Sequence, residues 1–190
     1  MPRTFARRPA LDAGWSLVEM MFVLLIIATV GAITAMVMPR AVTTAKADSA
    51  VQQLESVLRT AREQAVSQRR NVRIVFNAPN VVQVLRVEVP GPGTTVLNRM
   101  MLEGRSEFRL FPGVPDTPDA FGNASATSFG TATSVQFTSE GSFVDQVGDE
   151  VNGTVFIGVP DQPETARAVS VFGPTALISS WRWDGQNWTE

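Results

Sequence analysis

The apolar positions follow three different patterns along the chain. From Met20 to Met38 nineteen residues run without a charge. As a helix rising about 1.5 Å per residue, this run spans roughly 28 Å, enough to cross a bilayer core. Pro39 follows, expected to kink or locally melt the helix because it lacks a donor and crowds the preceding turn. The second pattern begins beyond it. Ala47, Val51, Leu54, Leu58, Ala61 and Ala65 recur every three or four residues and make one apolar stripe. The two segments predict a single helix from Ser16 to about Gln68, its first half in lipid and its second half against a domain. After Arg70 the period shortens to that of strands. "NVRIVF" (71–76) and "VVQVLRVEV" (81–89) read as a hairpin, and "TTVLNRMML" and "SEFRLF" read as extensions of the same sheet. Residues 112–132 are rich in Pro, Gly, Ser, Thr and Ala, a loop long enough to be either functional or disordered. "SVQFTSEGSFV", with a turn at Ser139-Glu140-Gly141, then "GTVFIGV", "RAVSVFG" and "ALISSWRW" complete the strand set. The expected fold class is α+β: a long N-terminal helix, membrane-spanning in its first half, packed on an antiparallel β-sheet domain.

Charge adds an asymmetry. Residues 59–109 hold nine arginines against four acids, whereas residues 110–190 hold ten acids against Arg167 and Arg182. With a net charge of −2 there is no global basic field, so general nucleic-acid binding is not the default reading. Cysteine and histidine are both absent. That removes disulfides, thiol chemistry and histidine-based triads or zinc sites. Arg3, Arg7 and Arg8 precede the apolar run, which favours a cytoplasmic N-terminus and an exported remainder. A secretory signal of the ordinary kind has a shorter apolar region, of about 7–15 residues, ending close to its cleavage site. Ala45-Lys46-Ala47 lies too far from the start of this run to serve.

One residue breaks the membrane pattern. Glu19 sits at the start of the run, where a charge costs up to about 2.5–3.5 kcal/mol at mid-helix and less toward the ends. Gly14 lies five positions upstream, and the stretch reads Gly14, then Trp15-Ser16-Leu17-Val18-Glu19. This arrangement resembles the class III signal of type IV pilins and pseudopilins. The resemblance implies that a prepilin peptidase cuts after Gly14 and methylates the new amine of Trp15, where the family usually has Phe. It also implies that Glu19 supplies a counter-charge to the N-terminal amine of a neighbouring subunit when filaments form. Two charges that are each costly in an apolar filament core then compensate one another. The competing reading is a plain single-pass anchor whose Glu19 reaches the headgroups.

The rest of the chain narrows the resemblance. "LRTAREQAVSQRRNVRIVF" (58–76) is similar to the helix-to-strand junction of the GspH/FimT family of minor pseudopilins. "VQFTSEG" (135–141) and "RAVSVFGPTAL" (167–177) resemble its later strand-turn and closing strand, with Gly173-Pro174 where the family often has Gly-Arg. The organisation this implies is a leader at 1–14, a transmembrane and assembly helix at 15–39, its amphipathic continuation at 40–70, and a periplasmic β-rich domain at 71–190. The implied function is a non-enzymatic minor pseudopilin of type II secretion at or near the tip of a pseudopilus. It needs no cofactor or metal. Its partners are the prepilin peptidase, other minor and major pseudopilins, and the bacterial inner membrane, with the N-terminus cytoplasmic. The alternative is a FimT-like minor pilin of a type IV pilus that binds DNA during uptake. A membrane-tethered periplasmic enzyme is the third reading.

Other candidate chemistries compete with plainer roles. Asp145, Asp149 and Glu150, with Asp116 and Asp119 in the long loop, offer oxygen ligands for calcium, but without the spacing of a known calcium loop. A solvated acidic loop is preferred. Arg59, Arg62, Arg69, Arg70, Arg73 and Arg86 would make a basic patch only on one face, and the helical three do not share one. Pairing with Glu55 and Glu63 is the simpler role. Trp181, Trp183 and Trp188 in "WRWDGQNW" are read as a terminal hairpin packing its indoles on the sheet rather than as an exposed platform. Three Asn-x-Ser/Thr triplets, at Asn123, Asn152 and Asn187, are set aside for a bacterial protein.

Overall fold

The computed structural model describes residues 15–91 and 93–190. Its single helix, α1, runs Leu17–Gln68 without interruption through Pro39, so no turn is lost where local melting was expected. The division between two compact units falls between Arg40 and Ala41, inside this helix. The helix ends where Arg69 enters the left-handed region at φ 50°. The Arg69 amide donates to the Val66 carbonyl and the Arg70 amide to the Ala65 carbonyl. These are the two bonds of a Schellman closure, with arginine in the position glycine usually fills. Asn71 then leads directly into the first strand.

In the second unit eleven strands follow: β1 Val72–Asn77, β2 Val81–Val87, β3 Thr94–Met101, β4 Glu107–Phe108, β5 Thr127–Ser128, β6 Val135–Phe137, β7 Phe143–Val144, β8 Gly153–Val159, β9 Gln162–Phe172, β10 Leu177–Trp183 and β11 Trp188–Thr189. They form two antiparallel sheets. One has the order β3-β2-β1-β6-β7; the other has β11-β10-β9-β8-β4, with β5 also on β8. The hairpins read from sequence are present, with Val72 opposite Arg86 in β1–β2 and Phe137 opposite Phe143 in β6–β7. "SEFRLF" does not extend the first sheet. Its β4 pairs instead with β8 of the second, Phe108 opposite Ile157. Buried Leu102 and the left-handed Gly104 (φ 69°) carry the chain from one sheet to the other. Alternation marks a residue as inward or outward but does not say which sheet receives the strand.

Both sheets and the helix share one core. Every residue of the predicted stripe, Ala47, Val51, Leu54, Leu58, Ala61 and Ala65, is buried, and Ala50 joins them. Against this stripe pack Ile74 and Val82 of the first sheet, and Val155, Ile157, Val169 and Val171 of the second. The outer face of the second sheet is covered as well. Residues 112–132 lie across it as an ordered strap rather than a disordered loop. Phe121 stacks on Phe172 with ring centroids 6.2 Å apart. Two glycines of β8 admit flanking rings. A Cβ at Gly153 would sit 2.0 Å from the Phe129 ring, and one at Gly158 would sit 2.3 Å from Phe111. This explains why the interior strand β8 is buried along its whole length.

Candidate assembly site

At the start of α1, the carbonyl of Ser16 accepts the Met20 amide at 3.1 Å, which makes Ser16 the N-cap and puts Glu19 in the first turn. Ser16-Leu17-Val18-Glu19 has the spacing of a capping box, a local signal that the membrane reading of Glu19 passes over. An acid in this turn gains about 0.3–1 kcal/mol from the helix dipole. Glu19 therefore has a local reason for its place at the start of the helix. The expected leader, with Gly14, lies outside the described residues. Trp15 is 67 % exposed ahead of the first turn.

The apolar run shows no buried face. Consecutive Leu24, Leu25, Ile26 and Ile27 point in four directions, yet each is 59–61 % exposed. A soluble core helix would cover at least one of them. By length and composition this helix is apolar enough to cross a membrane, with a mean hydropathy of 2.5 over its best window. The two hydroxyls of the apolar run are already satisfied internally. Thr29 donates to the Ile26 carbonyl and Thr34 to the Val30 carbonyl, both at 2.9 Å. Glu19 is thus the one charged side chain between Trp15 and Met38.

In the second unit the helix is tied to the second sheet by an ion pair between a buried arginine and a half-buried acid, which the sequence pattern alone did not single out. Arg167 on β9 is 2 % exposed, and its Nε donates to Asp48 Oδ1 at 2.6 Å. Nη1 donates to the carbonyls of Glu164 and Ala166, while Nη2 has no partner among the described residues. Arg182 approaches the other Asp48 oxygen at 3.9 Å. A signal was available. In "RAVSVF", Arg167 shares the parity of core residues Val169 and Val171, so it points at the apolar side and needs an acid there.

Several of the remaining sequence candidates are engaged in the fold, whereas Arg73 Nε is buried without a partner among the described residues. Asp119 accepts from Ser170 Oγ and from Trp181 Nε1, which fastens the strap to the sheet. Asp116 accepts the amides of Thr117 and Gly122. Asp145 Oδ1 accepts three amides, from Val147, Gly148 and Asp149, and closes its own loop. Among the described residues no group of three or more acids stands close enough to hold a metal ion. Arg59 pairs with Glu55 at 2.5 Å, Arg86 with Glu88 at 2.8 Å, and Arg62 donates to the Gly141 carbonyl. The indoles pack as a hairpin: Trp183 lies 5.4 Å from Trp188, whose Nε1 donates to the Pro115 carbonyl. Two carboxyls are held below their ordinary range. Hydrogen bonds from Thr95 and Arg86 lower Glu88, and the amides of Asn187 and Gln186 lower Asp184.

Comparison with curated proteins gives no match. Among solved structures, the minor pseudopilin EpsH from the type 2 secretion system of Vibrio cholerae is similar at 12 % identity and TM-score 0.49, covering 72 % of this chain and 97 % of that one. The type IV minor pilin FimU of Pseudomonas aeruginosa is similar at 18 % identity and TM-score 0.46, covering 70 % and 90 %. A second crystal form of FimU gives 17 % identity and TM-score 0.45, covering 75 % and 92 %. The family model described as type II transport protein GspH matches residues 50–175, from the buried helix stripe to the turn after β9. The chain belongs to the GspH family.

Proposed function

We propose that the protein is a minor pseudopilin of type II secretion, inserted in the bacterial inner membrane and then assembled with other pseudopilins at or near a filament tip. The observation that carries this reading is a GspH-family domain continuous in sequence with an apolar helix exposed on every side, with one acid in its first turn. An apolar helix with no covering in its own chain needs lipid, like helices, or both in succession. A prepilin peptidase removes residues 1–14 after Gly14 and methylates Trp15. The chain stays anchored because the cut leaves the apolar run attached. In the filament Glu19 faces the terminal amine of a neighbour, and each charge relieves the other of desolvation in the apolar stack. The N-terminus stays cytoplasmic and the domain at 71–190 is periplasmic. The domain serves as a structural subunit rather than an enzyme, its polar clusters being committed to holding the strap, turns and helix.

Mass spectrometry of the full chain produced with and without a prepilin peptidase tests the proposal. The expected product begins at Trp15 and carries one added methyl group. An intact leader, or a new terminus elsewhere, refutes it.

A further inference from the structure

The second unit carries a cationic groove that the assembly reading does not use. It has a volume of about 320 Å³ and lies where three segments meet. Helix α1 supplies Thr43 and Lys46, the β3–β4 connection supplies Gly104 and Arg105, and the β8–β9 hairpin supplies Val159 and Gln162. No acid lines it. Glu103, next in sequence, is turned to other work, accepting from Ser49 and from Gln53 Nε2. Asp161, beside Gln162, is outside the lining. Neither Lys46 nor Arg105 has an ion-pair partner among the described residues. The Lys46 stem is nonetheless seated. Gly104 holds φ 69°, and a Cβ there would come within 3.0 Å of Lys46 Cδ, so the stem lies directly on the glycine backbone.

The position of the groove along the chain selects its ligand. Lys46 follows Met38, the last residue of the uncharged run, by eight residues of continuous helix. Eight residues rise about 12 Å, and any bend along them only shortens that path. The four-carbon stem of Lys46 adds its own reach to that tether. The headgroup layer adds about 5–8 Å per leaflet beyond the hydrocarbon core. The ammonium therefore comes within reach of the headgroups of the leaflet from which the helix emerges. We propose that this groove binds the phosphate of an anionic phospholipid between Lys46 and Arg105, seating the base of the domain on the membrane before assembly. The proposal rests on the membrane-anchored reading of α1.

Hydrogen exchange of the full chain in lipid nanodiscs tests it. Co-elution with the disc reports whether the helix is anchored, independently of the groove. Discs of phosphatidylcholine are compared with discs containing phosphatidylglycerol. The amides of residues 103–106 and of Val159, Asp161 and Gln162 are expected to exchange about fivefold or more slowly with the anionic lipid, the gain typical of one basic residue near such a surface. Lys46→Gln with Arg105→Gln, both exposed positions, should abolish the difference while the core amides of β8 and β9 stay protected. Anchored protein with equal exchange in both discs overturns the proposal, as does a difference that survives in the double variant. Protection by inorganic phosphate in phosphatidylcholine discs, equal to that by the anionic lipid, overturns the assignment to a membrane headgroup.

Discussion

Replacing Asp48 by asparagine keeps the shape of the side chain and removes its charge, which isolates what the acid does for Arg167. The guanidinium is 2 % exposed and has one charged partner within 3 Å, Asp48 Oδ1 at 2.6 Å. Two carbonyls satisfy Nη1, and Nη2 is already without a partner. Taking away the carboxylate leaves a buried cation uncompensated, a change that costs about 3–5 kcal/mol when both groups are fully enclosed. Asp48 is 34 % exposed and also neighbours Arg182, so solvent screens part of the pair and the cost drops to the bottom of that range or below it. We expect Asp48→Asn to lose about 2–3 kcal/mol. In urea denaturation of residues 41–190 this moves the midpoint by roughly 1 M, for a slope of about 1–3 kcal/mol/M. The thermal midpoint falls by about 5–10 °C. Joining Asp48→Leu with Arg167→Met removes both charges and should recover most of the loss, because the desolvation of both ions disappears together. An Asp48→Asn variant within about 0.5 kcal/mol of the parent, the scatter of ordinary surface changes, refutes this role for the ion pair. So does a paired replacement as damaging as the single one.

Three further outcomes are expected. Glu19→Ala should insert in the membrane and still be cut after Gly14, but enter filaments poorly; pull-down of assembled filaments checks this, and normal incorporation would reduce Glu19 to a helix-start residue. Gly158→Ala places a methyl group 2.3 Å from the Phe111 ring, so the ring must move, at about 1–3 kcal/mol, read as a lowered unfolding midpoint and faster proteolysis of the strap. The depressed Glu88 and Asp184 carboxyls favour the folded state when ionised. Their contribution is therefore present above the ordinary carboxyl range, about pH 4, and is lost as pH falls through their lower folded values. Protection from exchange at the β2–β3 turn and at the terminal hairpin, taken relative to the intrinsic rate at each pH, should fall in that acid window, and Glu88→Gln should remove the effect at the first.

Local and periodic features of this protein are legible in its amino-acid order alone. The helix from about Ser16 to Gln68, its buried stripe, the β1–β2 and β6–β7 hairpins and the packing of the terminal indoles all follow from spacing of apolar residues and short turns. Neighbours in sequence or one helical turn apart determine such features. The spacing of Gly14, Trp15 and Glu19 is equally local, and points to the family that the match over residues 50–175 shows. Tertiary structure decided what depends on partners far along the chain. It placed β4 in the second sheet, turned residues 112–132 into a strap held by Asp119, and joined Asp48 to Arg167 across 119 positions. The period of a strand tells which side a residue faces, and that is enough to show Arg167 facing inward. Which acid meets it depends on how a helix and two sheets close around one core, and sequence spacing carries no measure of that.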